Sequence, residues 1–100
     1  MSLQFRWSDS KRKLNLETHG LDFADAFRVF EGLTFTFVDD RFEYEETRLV
    51  TLGLLSSVPV SIVHTESEHE IRVISFRKAT RREEKIYFAR VGSQFQSQTN

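Results

Sequence analysis

The chain has 100 residues, 29% of them charged and 39% hydrophobic, with no cysteine and a formal net charge of −1. That length holds one hydrophobic core and leaves no room for a second domain. The missing cysteines exclude disulfide frameworks, thiolate metal sites, Fe–S clusters and a cysteine nucleophile. No apolar run approaches the ~18 residues of a membrane span. Residues 1–7 lack the apolar stretch of a signal peptide, so an ordered cytoplasmic protein with no membrane partner is expected.

In chain order, residues 9–19 read as a helix, capped by Ser8 or Asp9 and stopped by Gly20. Residues 22–31 read as a second helix behind Asp22, because Phe23, Ala26, Phe27 and Phe30 share one face. The two should form a tight hairpin. The period then changes to two: strands are expected at 34–38, 47–55, 58–64 and 71–76, with a charged loop at 39–46. Gly53 reads as a bulge, and Pro59 is tolerated at a strand start. Thr80-Arg81-Arg82-Glu83 matches a capping box and predicts a helix over 80–90. Leu3–Trp7 is compatible with one further short strand. Short turns between strands imply an antiparallel meander. The expected architecture is α+β: an N-terminal helical hairpin, a four-stranded antiparallel sheet and a C-terminal helix, with the helices on one face. Residues 1–91 form the expected single domain, and the Ser/Gln-rich stretch 92–100 a flexible tail.

Charge is distributed unevenly. Residues 31–70 carry nine acids against Arg41 and Arg48, whereas 71–90 carry seven bases against Glu83 and Glu84. Arg6, Lys11, Arg12 and Lys13 form a second basic cluster. If the basic clusters meet, a neutral protein gains a local cationic surface that can hold phosphate. Arg72 lies inside a predicted strand and, by strict alternation, shares a face with Ile74 and Phe76. Arg81 and Arg82 open a helix against its dipole, an arrangement that suits a bound phosphate or pairing with Glu83–Glu84. Asp39, Asp40, Glu43, Glu45 and Glu46 lack calcium-loop spacing and read as an acidic loop. His19 suits a helix C-terminus, His69 a turn, and His64 is either a half-buried strand residue or a general acid/base. Zinc-helix, Walker and serine-elbow motifs are absent, so neither metal nor cofactor is expected.

Phe5-Arg6-Trp7-Ser8-Asp9 with Lys11, then Asn15-Leu16 and His19-Gly20, open a series of matches to a known family. The series continues through Phe23, Ala26, Val29 and Phe30, then Glu46 with Arg48, Leu52-Gly53 and Val63-His64-Thr65. It closes on Ile71-Arg72, Ile74-Ser75 and the run Arg77 to Glu83. In this order, over residues 5–88, the chain resembles BrnT-type toxins, the ribonuclease members of BrnT/BrnA type II toxin–antitoxin modules of bacteria. Ser8, Thr18 and Phe76 depart from the usual pattern. The resemblance implies a RelE-like fold and a metal-independent endoribonuclease that blocks translation. It also implies neutralisation by a BrnA-like, DNA-binding antitoxin in a hetero-oligomer.

Such chemistry needs a base for the 2′-OH, charge stabilisation for the phosphorane and an acid for the leaving oxygen. Arg72, Arg77 and Arg81 are the candidates for charge stabilisation, since a guanidinium binds phosphate bidentately. His64 or Glu46 is the candidate base. Lys78 and Arg82, with Arg48 and Lys11, are candidates for holding the RNA backbone. Trp7 and Tyr87 can stack on a base or pack in the core. The competing reading is a catalytically weak toxin-fold protein that acts by binding an antitoxin or RNA.

Overall fold

The computed structural model describes residues 3–98 except 42 and 44, with backbone alone for 93–98. Parts of the expected loop 39–46 and tail 92–100 therefore lie outside the described residues. The elements are β1 (Gln4–Arg6), α1 (Asp9–His19), a 3-10 turn (Phe23–Asp25), α2 (Ala26–Phe30), β2 (Phe35–Val38), β3 (Leu49–Leu55), β4 (Val58–Glu66), β5 (Glu70–Lys78) and α3 (Arg81–Gln98). They form one mixed sheet in the order β1-β5-β4-β3-β2.

The α+β class holds, but several expectations are corrected. The sheet has five strands, because β1 joins β5 in parallel through Gln4↔Glu70 and Arg6↔Arg72; a meander pattern does not reveal an edge strand contributed from before the first helix. The helical hairpin is instead an 11-residue α1 followed by a 3-10 turn and a five-residue α2. Asp22 caps that turn by accepting from the Ala24 amide at 3.0 Å. Helices cover both faces of the sheet. On one face Phe23, Ala26 and Val29 pack on Val60, Ile62, Val73 and Phe76. On the other, Tyr87 and Val91 of α3 pack on Val50, Leu52 and Val63. Lastly, α3 runs on to Gln98, past the expected helix end at 90.

Gly53 is no bulge. It pairs with Val60 in register, and a Cβ there would lie 2.6 Å from Val29 Cγ1. Glycine is required so that α2 can approach the sheet. The irregularity falls elsewhere: Val63 pairs with Ser75 but His64 pairs with Val73, so Ile74 is an extra residue in β5. A bulge breaks the period of two. Val73 and Phe76 thus both enter the α2-side core, while Ile74 packs on the α3 side. Arg72 shares a side with Ile74 but not, as alternation implied, with Phe76.

β1 covers the outer edge of β5 only as far as Arg72. Beyond it, the Asn15 side chain of α1 takes over. Its Nδ2 donates to Phe76 O at 2.7 Å and to Leu21 O at 3.0 Å, and its Oδ1 accepts from Phe76 N at 3.1 Å. One buried amide thereby serves both backbone groups of Phe76 as a neighbouring strand would. Arg12 ties α1 to the 3-10 turn through a bidentate pair with Asp22 at 2.7 and 3.0 Å. That hydrogen bonding lowers the Asp22 carboxyl to about 2.

Asn15→Ala should therefore lower stability by about 3 kcal/mol, because the backbone groups of Phe76 lose their partners in a buried place. Urea unfolding measures this, and a loss under about 1 kcal/mol would show that water replaces the amide without penalty.

Candidate active site

α3 covers the β2–β3 part of its face and leaves the sheet around Arg72 open. Arg72 projects from there with its side chain 55% exposed, and its Nη1 lies 4.0 Å from Glu46 Oε1. Glu46, Thr65, Glu66, Ser67, Glu70 and Arg72 line a cavity of about 240 Å³. Through Glu46 it adjoins a second cavity, which includes Asp39, Asp40 and Arg48. Asp39 and Asp40 also line a third cavity, shared with Arg77 and Glu83. Glu46, Arg48, Arg72 and Arg77 therefore line three neighbouring charged cavities that share wall residues.

Arg77 is already engaged. Its Nη1 and Nη2 bind Glu83 Oε1 and Oε2 at 2.7 and 3.1 Å. Glu83 in turn closes the capping box: Thr80 N donates to its Oε1 at 2.9 Å and Glu83 N donates to Thr80 Oγ1 at 3.1 Å. Burial opposes the charge on Glu83, but Arg77 and Thr80 outweigh it and hold the carboxyl below its usual range. Arg77 is thus part of the N-terminal clamp of α3 as well as a candidate phosphate ligand. Asp39, with its side chain 1% exposed, is held by Arg41 at 2.8 Å. Arg81 and Arg82 of α3, Lys78 at the end of β5 and Lys11 of α1 are exposed.

His64 is placed apart from these groups. It lies on the opposite face, fully buried, with the Phe30 ring edge-on at 5.2 Å. Its Nε2 is 2.7 Å from Thr51 Oγ1, which is itself 2.7 Å from Thr36 Oγ1. Its Nδ1 has no hydrogen-bond partner, and Glu66 Oε1 stands 3.6 Å away. Burial lowers its pKa from 6.5 to about 4, so the ring is neutral at physiological pH. This placement takes His64 out of reach of an RNA phosphate. Sequence reading missed the link because Thr36, Thr51 and His64 meet only through strand register.

The two aromatic candidates are packing residues. Trp7 packs against the α2-side core beneath the Arg12 guanidinium, 5.9 Å from the ring centroid. Tyr87 is 1% exposed and donates to Leu33 O at 2.8 Å. Among the described residues no group of three or more histidine, aspartate or glutamate side chains is gathered as a metal site. No described helix is long and apolar enough to cross a membrane.

An open, arginine-bearing sheet face can hold phosphate, and comparison with known proteins points to a ribonuclease. The family described as "Ribonuclease toxin, BrnT, of type II toxin-antitoxin system" matches residues 7–83. No curated protein matches the chain. Among solved structures, the Brucella abortus ribonuclease toxin BrnT aligns with a TM-score of 0.61 and 28% identity, over 80% of this chain and 100% of that one. The chain is therefore in the class of ribonuclease toxins of type II toxin–antitoxin systems. Within that class it belongs to the BrnT family.

The buried His64 gives a pH prediction. Between pH 6.5 and about 4 the unfolded chain binds a proton at this residue that the folded chain does not. Stability should fall by roughly 1.4 kcal/mol per pH unit as pH drops through that window. His64→Gln should flatten this slope in urea unfolding at several pH values, and an unchanged slope would show that the histidine is not held neutral.

Proposed function

We propose that the chain is a metal-independent, RelE-like endoribonuclease that cuts RNA in the bacterial cytoplasm and so blocks translation, with Arg72 and Glu46 at the reacting phosphate. The observation that carries this reading is Arg72: an exposed guanidinium in mid-strand, on the uncovered part of the sheet, 4.0 Å from a carboxylate. Glu46 takes the proton of the RNA 2′-OH, and the 2′-oxygen attacks the adjacent phosphorus. The 5′-oxygen leaves with a proton from water, giving a 2′,3′-cyclic phosphate. Arg72 binds the non-bridging oxygens as charge builds on them. Arg77, five residues further along β5, holds a neighbouring phosphate of the RNA if Glu83 shares it. Lys78, Arg81 and Arg82 hold backbone phosphates beside it, and Arg48 lies along the acidic border.

A toxin of this class implies an antitoxin. We propose a small, BrnA-like, DNA-binding partner in a hetero-oligomer, docked on the outer edge of β2. Asp39 N donates to Arg48 O at 2.8 Å. The antiparallel alternation then turns the backbone groups of Phe35 and Phe37 toward β3, and those of Thr36 and Val38 outward. Val38 is 56% exposed on this edge, and five acids follow it over 39–46. That combination suits an extended cationic segment added as a further strand. Bound there, the partner lies against Glu46 and occludes the cutting site. A stable complex should bury more than about 1,200 Å² in total.

Arg72→Ala should cut RNA roughly 10²–10³-fold more slowly with an unchanged melting curve. Glu46→Gln should likewise lose most cutting with an unchanged melting curve. Wild-type cutting should persist in EDTA, and expression of the wild type alone should arrest growth until the antitoxin is co-expressed. Normal cutting by Arg72→Ala would remove this residue from the site. Absence of both cutting and toxicity would favour the purely antitoxin-binding reading.

A further inference from the structure

One face of α1 points at β5 without filling the space between them. Lys11, Leu14, Asn15 and Thr18 repeat at i, i+3, i+4 and i+7, the spacing that ordinarily buries a helix face. Of these only Asn15 is buried, and Leu14 remains 63% exposed. The face borders an open groove of about 370 Å³ whose other wall is Ile74 and Ser75. The groove exists because β1 stops at Arg72 and Asn15, not a strand, closes the edge of β5.

Its chemistry differs from that of the cavities around 39–48. Leu14 and Ile74 are apolar walls, Thr18 and Ser75 bring hydroxyls, and Lys11 brings a positive charge. No carboxylate lines it, whereas the three cavities described above all carry Asp or Glu. Ile74 also stands two residues from Arg72 on the same side of β5, about 7 Å along the strand. We propose that this groove is a nucleobase subsite for single-stranded RNA. The base beside the cut phosphate lies between Leu14 and Ile74, and its polar edge meets Thr18 and Ser75. Lys11 binds the flanking phosphate. Apolar walls suit any base, so selectivity at this position comes from the polar groups beside them: the Thr18 and Ser75 hydroxyls and the His19 ring. The inference rests on Arg72 and Glu46 forming the cutting centre.

The test uses the full chain and a short single-stranded RNA oligonucleotide carrying the mapped cut site. An abasic nucleotide is moved through the oligonucleotide one position at a time, against wild type and Leu14→Glu. One position next to the cut should raise KM roughly tenfold with kcat little changed. Leu14→Glu should raise KM similarly for the intact oligonucleotide and show no further loss at that one position. Unchanged KM in Leu14→Glu, or losses that add at every position, overturns the subsite; the cutting centre still stands if Arg72→Ala is inactive. Normal cutting by Arg72→Ala, or no cutting by the wild type, overturns both. If Leu14→Glu cuts normally but escapes the antitoxin, the groove is a protein-docking site and the proposal fails. Thr18→Glu serves as the second variant should Leu14→Glu shift the melting curve, and the same outcomes then decide.

Discussion

A single extra residue in β5 decides which side chains face the core and which face solvent. Without the shift between Val63 and His64, the residues from Val73 to Phe76 would alternate strictly, and Val73 and Phe76 would take opposite sides. With it, both enter the core under α2, and Arg72 and Ile74 remain on the side that α3 only partly covers. Asn15 holds this arrangement from outside the sheet by pairing Phe76 where β1 no longer reaches. The open arginine, the groove beside it and the buried histidine behind it all follow from that register.

The same register explains how much of the molecule was legible in the sequence. Elements set by local chemistry were readable: the capping box at Thr80, the αL stop at Gly20, the alternation of 35–38. Ser56 and Ser57, with φ of 48° and 69°, make the expected turn between β3 and β4. Features set by long-range pairing were not. β1 carries no local signal that it will join β5, sixty-odd positions away. Gly53 looked like a bulge because a glycine in a strand has two physical meanings, and only the approach of Val29 chooses between them. A helix meant for one face and a helix meant for the other have the same periodicity, so the side taken by α3 was invisible.

The candidate site was legible in composition but not in assembly. The basic run 72–82 and the acidic run 39–46 were plain, and their juxtaposition through Arg72 and Glu46 places opposite charges beside each other on a nearly neutral protein. His64 shows the limit of residue type as a guide. A histidine after the buried Ile62 and Val63 can be a base or a buried polar link, and the bond to Thr51 together with full burial selects the link. Arg77 shows another limit: its bidentate pair with Glu83 engages in helix capping a guanidinium that its place in the basic run marks as a phosphate ligand.

The proposed function depends on RNA meeting the α3 side of β5 at Arg72. It is tested most directly by NMR of the isotope-labelled chain titrated with an uncleavable 2′-O-methyl RNA oligonucleotide. The Arg72 side-chain signal, the Ile74 and Ser75 amides and the groove face of α1 should move together, while Phe30, Thr51 and His64 stay still. Shifts centred on α2 and His64, with Arg72 unmoved, would contradict it.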